Sequence, residues 1–229
     1  SGGSDAAIDL GSSSTYTGNV SFTTDAGSDV SINDSDAFAI QSGLNVNNLS
    51  ITAGGDVTDL GDLDIDGTLS VSAAGQAVNL DGTGNDITGG VTLTGAAVTL
   101  EDSTATAIAG ITATGALSVT SGGAITQSGA IDADSTASFA AGANAITLTN
   151  AGNDFSGAVS LSNSGSNDVS LTDANALDLG TVGVGQNLAI TASGAITDSG
   201  VVTVAGTTSF DNSGGSDAAI DLGSSSTYT

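Results

Sequence analysis

The chain repeats itself at two levels, and these repeats restrict its fold more than any other feature. Residues 1–17 and 213–229 carry the same seventeen letters, SGGSDAAIDLGSSSTYT, so the period from the first copy to the second is 212 residues. A weaker repeat inside this period starts near Asn48, Ala116 and Asn187, where the sequence reads NLSITAGGDVTD, ALSVTSGGAITQ and NLAITASGAITD. Nested repeats of this kind are typical of a solenoid, in which each unit contacts only its neighbours. We expect residues 1–229 to form one continuous solenoid segment of a chain that continues into further copies.

Each internal repeat divides into three units that open with apolar and hydroxyl residues in alternation, such as NLSIT at 48, TLSVS at 68 and GVTLT at 90. A period of two is typical of a β-strand whose alternate residues face inward. Each unit of roughly 20 to 29 residues has the size of one coil of a triangular β-helix. The sequence therefore predicts an all-β fold, a right-handed parallel β-helix (β-solenoid). With about nine coils per 212-residue period and a rise of roughly 4.8 Å per coil, it forms an elongated rod that advances about 43 Å.

The residue types that are missing exclude several functions. The chain has no Lys, Arg, His, Pro, Cys, Met or Trp and carries a formal charge of −25. Without Lys or Arg it cannot neutralise phosphate, so we expect no nucleic-acid binding. No run of 18 apolar residues is present, so we also expect no membrane insertion. The absence of His and Cys removes imidazole and thiolate ligands for metals, and removes the bases and thiols of nucleophilic catalysis.

Paired carboxylates are the one arrangement that could support catalysis, as in DLDIDG (62–67) and IDADS (131–135). Two carboxylates at a suitable distance can hydrolyse glycosides. However, the alternation places Leu63 and Ile65 inside and sends Asp62, Asp64 and Asp66 outward to solvent. We therefore predict that the chain is not an enzyme and has no catalytic residue.

The segment LDGTGNDITGG (80–90) looks like a single copy of a glycine-rich calcium repeat. That motif binds calcium only in tandem copies nine residues apart, whereas the nearest related segment, NAGNDFSGA (150–158), lies about 70 residues away. We therefore predict that Asn85 and Asp86 are turn residues that bond their own backbone. No specific metal or cofactor site is expected. Diffuse, low-specificity Ca²⁺ binding remains open, because one carboxylate per roughly 2 Å of rod approaches the charge density of duplex DNA.

Three further patterns bear on ligand binding. Phe22, Phe139 and Phe210 occupy the fourth position of the opening strand pattern, where other units carry Ile, Val or Leu, so we predict that they fill the core rather than bind glycans. An aligned column of outward polar residues across adjacent coils would indicate a ligand-binding surface, and the sequence shows none. The TLT and TAT triplets share no common register, which argues against ice binding.

The segment ANAITLTNAGNDFSGAVSLSNSGSNDVSLTDANALDLGTVGVGQNLAITASGAITDSG (143–200) resembles the central repeat regions of filamentous-haemagglutinin-like exoproteins. This resemblance implies a giant surface or secreted adhesin, exported by two-partner secretion and folded as a right-handed β-helix. It predicts an extracellular or cell-surface location and a structural role in a long filament or adhesin stalk. The alternative is a β-solenoid surface that binds divalent cations or glycans. The expected partners are further copies of the chain along the fibre axis and a cell-surface or glycan partner.

Overall fold

The structure, a computed structural model, describes residues 7–17, 20–24, 27–214, 218–223 and 226–228. Parts of both copies of the seventeen-residue repeat, namely 1–6, 215–217, 224–225 and 229, lie outside the described residues. Every regular element in the described part of the chain is a β-strand, and the strands pair in parallel to form three sheets, A, B and C. The predicted all-β solenoid is therefore confirmed.

Sheet A contains β1 (Ile8–Ser14), β2 (Val30–Asp34), β5 (Leu49–Ala53), β8 (Leu69–Ser72), β11 (Gly90–Gly95), β13 (Thr106–Ala113), β15 (Ile125–Gln127), β18 (Ile146–Leu148), β21 (Val169–Asp173), β23 (Leu188–Ala192) and β26 (Thr208–Asp211), with β16 (Ile131–Ala133) and β19 (Asp154–Phe155) beside them. Sheet B contains β3 (Phe38–Ile40), β6 (Val57–Asp59), β9 (Val78–Leu80), β12 (Val98–Asp102), β14 (Leu117–Ser121), β17 (Ala137–Ala140), β20 (Val159–Ser162), β22 (Leu177–Val184), β24 (Ile196–Asp198) and β27 (Ile220–Asp221), with β25 (Val202–Val204) and β28 (Thr227–Tyr228) beside them. Sheet C contains β4 (Leu44–Val46), β7 (Leu63–Ile65) and β10 (Asp86–Ile87).

The core lies between the sheets and is built from columns of stacked aliphatic residues. Val30, Leu49, Leu69 and Val91 follow one another in register along sheet A, and none is more than 1% exposed. Burial of each such side chain is worth about 1.5–3 kcal/mol relative to exposure. A chain poor in large residues can fold in this way because every coil covers the apolar faces of two neighbours.

The number of coils differs from the prediction. Over the described residues, sheet A runs through eleven successive strands, one for each coil. The sequence predicts only nine coils in each 212-residue period. The extra coils come from the longest unit of each internal repeat. In the unit that starts at Gly90, strand β11 lies in sheet A, β12 in sheet B and β13 in sheet A again, so this unit makes about one and a half coils. An internal repeat therefore advances about three and a half coils rather than three.

Consecutive internal repeats consequently start on different sheets. Leu49, Leu117 and Leu188 hold the same position in the three repeats, and they lie in sheets A, B and A. The same shift separates the two copies of the seventeen-residue segment, because Ile8 lies in sheet A and its counterpart Ile220 in sheet B. One 212-residue period thus advances about ten and a half coils, or roughly 50 Å at 4.8 Å per coil.

Candidate functional site

Three buried carboxylates occupy equivalent positions in the three repeats. Asp34, Asp102 and Asp173 end the strands of DVSIND, AVTLED and DVSLTD and are at most 2% exposed. In each case Oδ1 accepts a hydrogen bond from the backbone N–H two residues further on and another from a backbone N–H of the preceding coil. The donor pairs are Asp36 and Tyr16 for the first, Thr104 and Ile87 for the second, and Asn175 and Phe155 for the third. Each carboxylate therefore joins two coils at the point where a strand ends.

The three sites differ at the second carboxylate oxygen. Thr106 donates its hydroxyl to Oδ2 of Asp102 at 3.1 Å, and this Thr is itself only 1% exposed. Phe38 and Leu177 hold the position of Thr106 in the other repeats, so Oδ2 of Asp34 and of Asp173 meets no donor within the described residues. Burial raises the pKa of Asp102 above its ordinary value, and it raises the pKa of Asp173 to about 6.

The raised pKa of Asp173 predicts that stability falls as the pH rises from about 4 to about 6. In this window the folded chain binds a proton that the unfolded chain has already lost, so the free energy of unfolding decreases with pH. We expect Asp173→Asn to remove this decrease and to stabilise the chain by about 2 kcal/mol at pH 7, with little effect near pH 3.5. Urea unfolding followed by circular dichroism at several pH values measures the difference.

The exposed Asp66 provides the matched control, because Asp66→Asn removes one charge from the surface. We expect that variant to change the free energy of unfolding by less than about 0.5 kcal/mol at either pH. Equal pH dependence in the Asp173→Asn variant and the unmodified chain would contradict the assignment.

A second set of polar residues, two buried and one partly buried, joins the first and second coils of each repeat. Asn85 and Asn153, both fully buried, accept a hydrogen bond from the backbone N–H of the residue 22 positions earlier, at 2.9 and 3.0 Å. Ser226 accepts the equivalent bond in the third repeat. Each of the three also donates to a side chain of the coil below, and these acceptors are Asp59, Gln127 and Asp198. This arrangement forms a hydrogen-bonded clamp between two coils.

The clamp corrects the predicted role of the 80–90 segment. The side chain of Asn85 bonds across the coil to Asp59 at 2.8 Å, in addition to a longer contact with the carbonyl of Leu80, so it is more than a local turn residue. Asp86 lies in strand β10 rather than in a turn and accepts a hydrogen bond from Thr104 at 3.0 Å. Sequence reasoning missed both roles because the bonding partners lie one coil away.

The same loop engages neighbouring carboxylates through its own backbone. The N–H groups of Asp81 and Gly82 donate to Asp59, and that of Gly84 donates to Asp62 at 2.9 Å. Both carboxylate oxygens of Asp59 and one of Asp62, which could otherwise bind a calcium ion, thus already accept hydrogen bonds from backbone amides. Within the described ranges, no group of three or more acidic side chains is placed to hold a metal ion.

The carboxylates predicted to face solvent do so. Asp62, Asp64 and Asp66 are exposed, whereas Leu63 and Ile65 are at most 1% exposed. The prediction that outward polar residues form no columns is wrong, however.

Aspartates pair in register on adjacent coils at two places on the surface. Asp64 lies beside Asp86, and Asp132 beside Asp154. The pKa of Asp132 is raised, first by partial burial and then by the neighbouring charges of Asp134 and Asp154. No basic side chain offsets the repulsion between these carboxylates, because the chain contains no Lys, Arg or His.

Hydroxyl residues also form columns on the outer surface of sheet A. Ser31, Ser50, Ser70 and Thr92 follow one another in register. A parallel column two residues further along the strands consists of Asn33, Thr52, Ser72, Thr94 and Thr112. The TLT triplet at 92–94 and the TAT triplet at 112–114 are offset by two residues, because Thr92 lies beside Gly110 and Thr94 beside Thr112. The outer face of this part of sheet A is therefore polar and built from short side chains.

A third polar column runs along one corner of the rod. Asn48 donates its side-chain amide to Asp29, and Thr68 donates to Asn48, each at 2.8 Å. The third repeat has the same ladder, whereas the middle repeat carries Ala97 and Ala116 at the first two positions. The two asparagine side chains beside it, chiefly Asn48, lower the pKa of Asp29. Because the middle repeat folds without this ladder, the coil does not depend on it.

The phenylalanines named from the sequence contribute to the core, as predicted. Phe139 is fully buried, and its ring meets that of Phe155 edge to face at a centroid distance of 6.1 Å. Phe22 and Phe210 are partly buried and pack against the same core. None of the three is displayed as an exposed aromatic platform for a sugar.

These features define a β-solenoid repeat protein whose side-chain hydrogen bonds mainly join one coil to the next. The chain belongs to the family described as repeats of unknown function (DUF5649), which matches residues 27–94, 95–162 and 166–227. The matched repeats begin 68 and 71 residues apart, as do the segments at Asn48, Ala116 and Asn187. Searches of curated proteins and of solved structures found no significant match. Over the described residues, the chain forms no helix with the length and apolar character needed to cross a membrane.

Proposed function

We propose that the chain is a structural segment of a long extracellular filament or adhesin stalk, as in filamentous-haemagglutinin-like exoproteins. The observation that carries the proposal is the continuity of the ladders along the rod. Sheets A and B run through eleven and ten successive strands, so every coil is bonded to its neighbours by backbone hydrogen bonds parallel to the axis. Tension along such a rod is shared among many bonds, which suits a stalk or spacer.

Charge and composition fit an extracellular filament. A net charge of −25 without any cationic side chain makes neighbouring rods repel one another, which keeps them dispersed. The absence of Lys and Arg also leaves no cleavage site for trypsin-like proteases. In this role the segment catalyses no reaction, and its partners along the axis are further copies of it.

Imaging of cells that produce the parent chain tests this role. Gold-labelled antibodies against the segment should bind intact cells along thin fibres, and cryo-electron microscopy of these fibres should show an axial spacing near 4.8 Å. Labelling that requires permeabilised cells, or labelled material in compact particles, would contradict the proposal.

A second candidate function is a surface that binds divalent cations or glycans. The in-register pairs Asp64 with Asp86 and Asp132 with Asp154 favour cation binding, because adjacent carboxylates attract cations. Calorimetric titration with Ca²⁺ separates the two candidates. A binding surface predicts saturable binding that Asp132→Asn weakens, whereas a charged filament predicts weak binding that 0.15 M salt screens.

A further inference from the structure

The coil formed by the seventeen-residue segment exposes apolar residues that are buried elsewhere in the chain. Ile220 is 43% exposed, whereas its counterparts in the other repeats, Val78 and Ile146, are at most 1% exposed. Tyr228 is 37% exposed, whereas its counterparts Ile87 and Phe155 are at most 1% exposed. These buried counterparts are covered by coils on both sides. The coil that contains Ile220 therefore resembles an interior coil from which one of the two neighbouring coils is missing.

The first copy of the segment shows what covers this face. Ile8, Asp9 and Leu10 pair in register with Val30, Ser31 and Ile32 of strand β2. Tyr16 donates its backbone N–H to Asp34, at the end of the same strand, at 3.3 Å. Because residues 213–229 have the same sequence as residues 1–17, the same strand fits above them with the same contacts.

The second copy shows what lies on the opposite face of the segment. Ile220 pairs with Ile196, and Tyr228 with Val204. The side chain of Asp198 accepts hydrogen bonds from Ser226 and from the backbone of Gly223. The two copies together therefore display both faces of one coil, each with its neighbour in place.

We propose that consecutive 212-residue copies join as one uninterrupted solenoid and that each copy is turned by half a coil relative to the one before. Strand Val30–Asp34 of the next copy is then seated on Ile220, Asp221, Leu222 and Ser226, the counterparts of the residues that it pairs with in the first copy. The inference deepens the proposed filament, since it rests on a parent chain that repeats. Strand β2 lies in sheet A, but its equivalent in the next copy would pair with β27 and so lie in sheet B. The structural period of the fibre is then two copies, about 21 coils or roughly 100 Å. Every surface feature, including the hydroxyl columns of sheet A, alternates between the two broad faces.

Disulfide trapping tests the junction, and the chain contains no cysteine of its own. In a tandem chain, residues 18–229 follow Thr229 a second time, and Asp221→Cys is combined with Ser31→Cys of the second copy. Neighbouring strands are about 4.8 Å apart, within the Cα separation that a disulfide spans. We expect this pair to form a disulfide as fast as Asp9→Cys with Ser31→Cys in the first copy, whose positions are paired in the structure.

The matched control combines Asp221→Cys with Ser50→Cys of the second copy, one coil further away at about 10 Å, which a disulfide cannot bridge. We expect disulfide formation at least about tenfold slower in this control. If the Asp221 and Ser31 pair reacts no faster than the control while the pair within the first copy forms its disulfide, the copies fold separately and the inference is wrong.

Gold labelling tests the half-coil rotation directly. With Ser50→Cys in both copies of the tandem chain, cryo-electron microscopy should place the two gold particles on opposite sides of the rod, about 50 Å apart along its axis. Two particles on the same side would overturn the rotation. These outcomes are independent of where cells place the protein, so failure here is distinguishable from failure of the filament proposal.

Discussion

Replacement of Asn153 by Ala should lower the free energy of unfolding by about 3 kcal/mol or more. The Asn153 side chain is fully buried and exchanges two hydrogen bonds with Gln127, at 2.8 and 2.9 Å. It also accepts from the backbone of Ile131 and donates to the carbonyls of Leu148 and Thr172. Alanine removes all five bonds and leaves the backbone N–H of Ile131 without this acceptor, whereas Gln127 keeps its bonds with Asn150 and Gly129. Each unsatisfied buried group costs about 1–3 kcal/mol, and the lost side chain also leaves a cavity.

Urea unfolding monitored by circular dichroism gives the measurement for this variant. The exposed Asn175 supplies the control, since Asn175→Ala removes the same amide from the surface and should cost less than about 0.5 kcal/mol. Because Gln127 and Asn153 form one clamp, the double variant Gln127→Ala with Asn153→Ala should lose less stability than the sum of the single variants. Additive losses, or a loss below about 1 kcal/mol for Asn153→Ala, would show that the clamp does not hold the coils together.

Replacement of Phe139 by Ala should cost about 3–5 kcal/mol, the usual range for a fully buried aromatic residue. Phe139 is fully buried and contacts the ring of Phe155, so the smaller side chain leaves a cavity inside the rod. Interior coils cannot collapse into such a cavity without breaking the register of both neighbours. Thermal and urea unfolding of the purified chain report this loss.

Phe210 provides a control at the same position of the next repeat. It is only partly buried, and its ring packs edge to face on that of Tyr228 at a centroid distance of 5.9 Å. Its strand, β26, is the last one in sheet A, so a neighbouring strand covers it on one side only. Phe210→Ala should therefore cost about 1–2 kcal/mol, since less apolar surface is buried there. Equal losses at the two positions would contradict the view that the contribution of a core residue to the free energy of unfolding depends on its burial between two coils.

The sequence alone determines which residues face the core, because successive side chains of a strand point to opposite faces. The direction of each side chain therefore depends only on its position in the strand. The alternation in DLDIDG places Leu63 and Ile65 inside and the three aspartates outside, and the structure agrees. The repeat spacing also predicts a stack of coils, since identical patterns at regular intervals bury their apolar faces on one another. Both conclusions require only short-range periodicity and the requirement that apolar surface be covered.

Tertiary structure decides how the coils are counted and which polar side chains meet. The pattern that opens each unit predicts a strand but does not say which sheet the strand joins. The extra half coil of the long unit at Gly90 therefore cannot be predicted from that pattern. Likewise, Asn85 resembles a turn residue because its partners, Leu63 and Asp59, lie more than 20 positions away in the chain. The physical reason is the same in both cases. Pairing between coils depends on the exact length of every intervening turn, and a change of one or two residues in those turns alters which side chains lie side by side.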